Sequence, residues 1–189
     1  MSRKFLAAAF VWVWSSSVLA MVYEVDPVHS MVLYRIKHQG VSENWGRFND
    51  KTGTIVFDAK DISKGSVEFT VKAESIDTAV QKRDDHLRGP DFFNVKQFPV
   101  ITFKSKKISA AKGKDSYNVE GDLNIHGVTK PIKLAVRKTG EGKDQKGNAL
   151  IGFATEVQLK RTDFGLNFMV GPISDELNVV ITLEAVEKK

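Results

Sequence analysis

Apolar and polar residues alternate along most of the chain beyond residue 20. Val32, Tyr34 and Ile36 alternate with Leu33, Arg35 and Lys37, and Val67, Phe69 and Val71 with Glu68, Thr70 and Lys72. The pattern returns at Tyr117, Val119, Gly121, Leu123 and Ile125, and again at Ile132, Leu134 and Val136. Two further stripes follow, Ile151, Phe153, Val157 and Leu159, then Leu177, Val179, Ile181, Leu183 and Ala185. A repeat of two sends alternate side chains to opposite faces, which predicts strands with one apolar face. Residues 48–57, expected to fold back at Lys51-Thr52-Gly53, and residues 99–109 bring the count to about eight long strands.

The connections are short and polar: Gly40, residues 61–65, Gly113-Lys114-Asp115, Gly127 and residues 140–147. Such strands predict an all-β domain, either a sandwich or an eight-stranded antiparallel β-barrel. The barrel is preferred because closure removes exposed edges, and at this strand number the interior is either filled or just wide enough for one small ligand. An outer-membrane barrel fits poorly. Its lipid-facing stripe would lack aromatic girdles, and the chain stops in Glu187-Lys188-Lys189 rather than in an apolar strand.

One stretch breaks the pattern. Residues 83–103 read RDDHLRGPDFFNVKQFPVITF, a helix-compatible charged run ended by Gly89-Pro90 and followed by two adjacent aromatics. An irregular segment between strands predicts a short helical lid, and loops carried on a rigid scaffold are common places for function.

The N-terminus changes the picture of where the protein works. Ser2-Arg3-Lys4 is basic, residues 5–14 are apolar, and small residues precede Ala20, the pattern of a signal peptide over residues 1–20. The apolar run is too short for a bilayer span, so residues 21–189 are expected as a single exported, periplasmic domain with no transmembrane segment after cleavage. The chain has no cysteine, which excludes disulfides, thiol nucleophiles and thiolate metal sites. Its net charge of +5 includes Arg3 and Lys4 of the leader, and no phosphate-cradling glycine loop or basic-aromatic strip is present, so nucleic acid is not an expected partner.

Ordered motifs run over almost the whole length from residue 21. They are Tyr23-Glu24-Val25-Asp26-Pro27-Val28-His29-Ser30, His38-Gln39-Gly40-Val41-Ser42, Gly46-Arg47-Phe48 and Ser75-Ile76-Asp77-Thr78. The lid RDDHLR with Asp91-Phe92-Phe93 follows, then Phe98-Pro99-Val100, GDLNIHGVTKP over residues 121–131, and Arg161-Thr162-Asp163-Phe164-Gly165-Leu166. Together they resemble the motifs of the YceI-like family, the polyisoprenoid-binding periplasmic proteins. Asn124-Ile125-His126-Gly127 departs from the family, where a threonine and an arginine are commoner. The resemblance implies a lipocalin-like barrel whose apolar pore holds a long isoprenoid or similar lipid, such as an isoprenoid quinone or a prenyl phosphate.

Such a lipid needs a continuous apolar tube with a few polar groups at one mouth. Phe103, Leu123, Phe153 and Ile181 lie on the inward stripes and are candidate tube walls. In the lid, Arg83, His86 or Arg88 faces the head group while Leu87, Phe92 and Phe93 close the tube; alternatively Asp84 or Asp85 pairs with an arginine and the aromatics only plug one end. At the corner beginning at Arg161, Asp163 is expected to cap a short helical turn with Phe164 packed beneath it. His29, His38, His86 and His126 show no metal-ligand spacing, so no metal or other cofactor is expected. The preferred reading is a binding or carrier protein without a reaction of its own, compatible with a homodimer. The rivals are a hydrolase or isomerase using His86 with a neighbouring Asp, and an interaction module with a filled barrel.

Overall fold

The structure, a computed structural model, describes residues 20–188; the leader expected at 1–20 therefore lies almost wholly outside the described residues. The strands are β1 (Met21–Val25), β2 (Met31–His38), β3 (Ser42–Phe48), β4 (Lys51–Phe57), β5 (Ser66–Lys72), β6 (Ile76–Asp77), β7 (Val100–Ala110), β8 (Ser116–Ile125), β9 (Val128–Lys143), β10 (Ala149–Lys160) and β11 (Ile173–Glu187). Among the described residues one α-helix, α1 (Gln81–Arg88), stands between β6 and β7, and 3₁₀ turns occupy Ile62–Lys64, Ala73–Ser75 and Arg161–Phe164.

The sheet closes in the order β1-β4-β5-β7-β8-β9-β10-β11 and back to β1, an eight-stranded antiparallel barrel. The remaining strands belong to the same staves. β11 pairs with β2 along Ile173 to Thr182 and with β1 at Ala185 to Glu187, so β1 and β2 are two halves of one interrupted stave. In the same way β3 pairs with β2 where β4 pairs with β1, and β6 extends β5.

The interruption between β1 and β2 has a local cause. Pro27 has no N–H to give to a ladder, and Asp26 Oδ1 draws in the Val28 N–H at 2.8 Å. Ser30, 2% exposed, then takes the place of a backbone partner: its Oγ donates to Glu184 O at 3.2 Å and accepts from Glu184 N at 3.0 Å. The Asp-Pro-Val-His-Ser motif is thus the joint that lets one stave change course without stranding β11's polar groups.

Two expected turns are corrected. β4 does not fold back at Lys51-Thr52-Gly53; it runs straight, with Gly53 opposite Phe69, and the reversal lies at Gln39-Gly40, both with positive φ. Gly53 is there for the neighbouring strand, because a Cβ on it would meet the Phe69 ring at 2.7 Å. Likewise Gly140 and Gly142 belong to β9, and the chain turns only at residues 144–148, where the Asp144 carboxylate accepts from the N–H groups of Lys146 and Asn148.

Inward side chains are mostly apolar, with Lys51 of β4 buried among them, and outward ones carry pairs such as Glu68–Lys104 and Asp122–Lys106. The end of the barrel away from α1 is packed. Phe57 lies against Tyr117 and Phe153 with ring centroids 5.9 and 5.8 Å apart, and the half-sunk Lys138 ammonium sits 5.6 Å over the Phe57 ring.

The joint at Ser30 yields a first prediction. Ser30→Ala leaves the Glu184 N–H without its partner and is expected to destabilise the fold by about 1–3 kcal/mol, read from the urea midpoint at unchanged slope; a native midpoint would show that the joint does not need the hydroxyl.

Candidate functional site

The half of the barrel beneath α1 is hollow. A cavity of about 750 Å³ is walled by the inner faces of β2, β3, β5 and β7–β11 and roofed by residues 78–93 and the corner after β10. Of the residues singled out from sequence, Arg83, His86, Leu87, Phe92, Phe93, Phe103, Leu123, Phe164 and Ile181 border it. Phe153 instead lines a separate void of about 100 Å³ at the packed end. Phe69, Phe103, Leu134 and Ile181 touch both spaces and form the floor between them. Phe69 and Phe103 face each other across β5 and β7, and the Phe103 ring lies where a Cβ on Gly121 would come within 2.7 Å of it. That glycine sets how far the floor ring can reach.

The lid is fastened mainly to backbone. Arg88 does not border the cavity: its Nε donates to Glu74 O at 2.7 Å, Nη2 to Ile76 O at 2.8 Å and Nη1 to Asp85 Oδ1 at 3.1 Å. Arg83 does border it, and donates through Nε to Thr78 Oγ1 (2.8 Å) and through Nη2 to Thr78 O (2.9 Å). The buried Asp84 carboxylate accepts from the N–H and hydroxyl of the same Thr78. Both lid arginines are therefore anchors first, and Arg83 alone of the pair also faces the cavity.

His86 pairs with Asp91 through Nε2 at 3.0 Å, and its ring stands edge-on to Phe92 (5.0 Å) and Phe168 (5.5 Å). Phe93 packs edge-on against Phe48 at 5.7 Å. The corner after β10 is built differently from expectation. Asp163 is exposed and caps nothing; Asp175 of β11 accepts from Thr162 N (3.0 Å) and Thr162 Oγ1 (2.9 Å). Buried Arg161 donates to the carbonyls of Leu166, Phe168, Ile173 and Ser174, which winds the segment around one guanidinium. Burial pulls its pKa down from the arginine range, and Asp175 opposes this.

Tyr34 was not singled out, yet its ring borders the cavity beside Phe48, 6.1 Å between centroids. Burial raises the phenol pKa well above its ordinary value, the nearby Arg83 pulling the other way. Its place on the stripe with Val32 and Ile36 was the available signal. Among the described residues one group of three metal-type ligands converges, Asp26, His29 and Glu184, but His29 Nδ1 and Asp26 already bond each other at 2.8 Å.

Residues 23–185 match the model of the YceI-like domain. The chain belongs to the YceI-like family. It is 38% identical over 186 residues to a UPF0312 protein of Pectobacterium atrosepticum, covering 97% of this chain and 96% of that one. The Campylobacter jejuni YCEI protein is similar in structure, with TM-score 0.72, 35% identity and coverage of 82% and 91% of the two chains. A polyisoprenoid binding domain from Saccharophagus degradans shares the fold, with TM-score 0.69 at 18% identity, covering 89% of this chain and 99% of that one.

In this YceI-like barrel the Gly46-Arg47-Phe48 and Ile76-Asp77-Thr78 motifs meet: Asp77 accepts from Arg47 Nε (2.9 Å), Asn49 Nδ2 (3.2 Å) and Ala79 N (2.9 Å). The backbone N–H of Ala79, with Asn49 and Arg47, holds the Asp77 carboxyl down to about 2. A depressed carboxyl contributes stability that is present above its unfolded value and lost as pH falls through its folded one. Asp77→Asn is therefore expected to melt below the native YceI-like protein at pH 7, with the gap closing between about pH 4 and pH 2; a gap unchanged at pH 2 would sink that assignment.

Proposed function

We propose that this YceI-like protein is an exported, periplasmic binding protein that carries one long-chain isoprenoid, or a lipid of similar shape, in the barrel. The observation that carries this reading is the cavity: about 750 Å³, apolar along its walls, floored by Phe69 and Phe103 and roofed by a separate lid. That size lies within the roughly 300–1,000 Å³ usual for ligand sites. At about 25 cal/mol per Å² of apolar area, burying a few hundred Å² of tail supplies several kcal/mol before the costs of association. The description of the Saccharophagus degradans neighbour as polyisoprenoid binding supports the same class of ligand. Export rests on the pattern of residues 1–20, and no helix among the described residues is long and apolar enough to cross a membrane.

In this reading Leu123, Phe103, Ile181 and Phe164 hold the tail, and Leu87, Phe92 and Phe93 close over it. The head group lies at the lid end, where Arg83, His86 and the Tyr34 hydroxyl offer charge and hydrogen bonds. Such polar contacts suit a quinone carbonyl or a phosphate. Arg88 serves the roof from behind, and Phe153 belongs to the plug at the other end.

Native mass spectrometry of the periplasmic fraction tests the reading. The expected species is a chain starting near Met21 with one non-covalent lipid, released unchanged. A protein that never carries lipid would favour the interaction module, and a product formed by native protein but not by His86→Ala would favour the enzyme built on the His86–Asp91 pair.

The floor gives a separate prediction about tail length. Phe103→Ala is expected to join the two spaces and shift preference toward longer isoprenoids, measured by competition between tails of different length, at a stability cost of about 3 kcal/mol. Unchanged length preference in a folded variant would place the end of the tail elsewhere.

A further inference from the structure

Nine large apolar side chains are exposed among the described residues, and six of them stand at the lid end: Val41, Trp45, Val80, Phe168, Met169 and Val170. They come from three separate segments, the β2–β3 hairpin, the residue before α1 and the corner after β10. The structure brings these segments together. Trp45, Val80 and Met169 border the cavity, Phe168 meets the His86 ring edge-on, and Gln39 N donates to Pro172 O at 2.7 Å, tying the hairpin to the corner. Val41, at 89% exposure, projects from the hairpin tip. Surface apolar residues scattered singly need no explanation, but a ring of them around the mouth of a cavity marks an interaction site.

Around this ring two ammonium groups stand beside carboxylates that are mostly engaged by neighbouring side chains. Glu43 is held by Arg35 (3.5 Å), Asp85 by Arg88 (3.1 Å) and Asp91 by His86 (3.0 Å). Lys37 and Lys82 also border the mouth, and neither has a carboxylate partner among the described residues. A tryptophan beside aliphatic side chains suits the boundary between head groups and acyl chains, and nearby ammonium groups are drawn to anionic head groups.

We propose that the lid end docks on an anionic phospholipid bilayer, with Val41, Trp45, Met169 and Val170 entering the interface and Lys37 and Lys82 meeting the phosphates. The inference rests on the lipid-carrier reading above and deepens it: a mouth seated in the bilayer passes an isoprenoid between membrane and cavity without taking its tail through water.

The test uses the exported protein as recovered, in which Trp45 is the one tryptophan beyond residue 20. Vesicles of phosphatidylcholine alone, and of phosphatidylcholine with phosphatidylglycerol, are prepared with and without brominated acyl chains. Brominated chains are expected to quench Trp45, with tighter binding to the vesicles containing phosphatidylglycerol. Val41→Asp combined with Val170→Asp, at two positions that do not border the cavity, is expected to weaken vesicle binding about tenfold or more. The same variant should take up a detergent-dispersed isoprenoid as the native protein does, which shows that it is folded. Native-like vesicle binding by that variant, equal affinity for the two vesicle types, or no quenching of the native protein overturns the docking proposal. A protein that takes isoprenoid from detergent but ignores vesicles loses only the docking; one that docks but takes no isoprenoid overturns the carrier reading instead.

Discussion

β11 holds the two halves of the barrel in one sheet, because it pairs with β10 along nearly its whole length while its other edge changes partner from β2 to β1. The exchange happens at Glu184, where the ladder is continued by the Ser30 hydroxyl and by the Asp26 N–H, 2.8 Å from Glu184 O. On one side of that joint the inward residues of β1 and β4, Tyr23, Val25, Ile55 and Phe57, are packed core. On the other side, Val32, Tyr34 and Ile36 of β2 and Phe48 of β3 face the cavity. A filled half and a hollow half therefore share a continuous wall, and the hollow half is supported by core packing that it does not itself provide.

The walls of that cavity were legible in the sequence because parity along a strand is a local property. Leu123, Phe103 and Ile181 could be placed facing inward from their own neighbours alone, and Gly89-Pro90 marked where the lid helix stops. What stayed hidden depends on contacts between distant segments. Thr52-Gly53 carries turn chemistry, but Gly53 answers to the Phe69 ring on the next strand. Phe153 has the same parity as Leu159, yet lies on the far side of a floor that only the assembled barrel defines.

The lid shows the same limit for polar residues. Arg83 and Arg88 lie on one short helix, and nothing in the local sequence says that the second would reach Glu74 O and Ile76 O while the first also meets the cavity. Asp163 sits where a cap is expected, yet the carboxylate that serves Thr162 is Asp175, brought there by β11. Tyr34 was visible as an inward residue, but its value as a polar group depends on the emptiness beside it.

The fastening of the roof by guanidinium groups on carbonyl oxygens has a further consequence. Arg161 holds four carbonyls, Arg88 two and Arg83 one. A carbonyl has no proton to gain in mild acid, and arginine keeps its charge throughout the range in which proteins remain folded. Short, partly buried hydrogen bonds of this kind are also screened far less by dissolved ions than exposed ion pairs are. The roof is thus latched by contacts that brine and mild acidity leave in place.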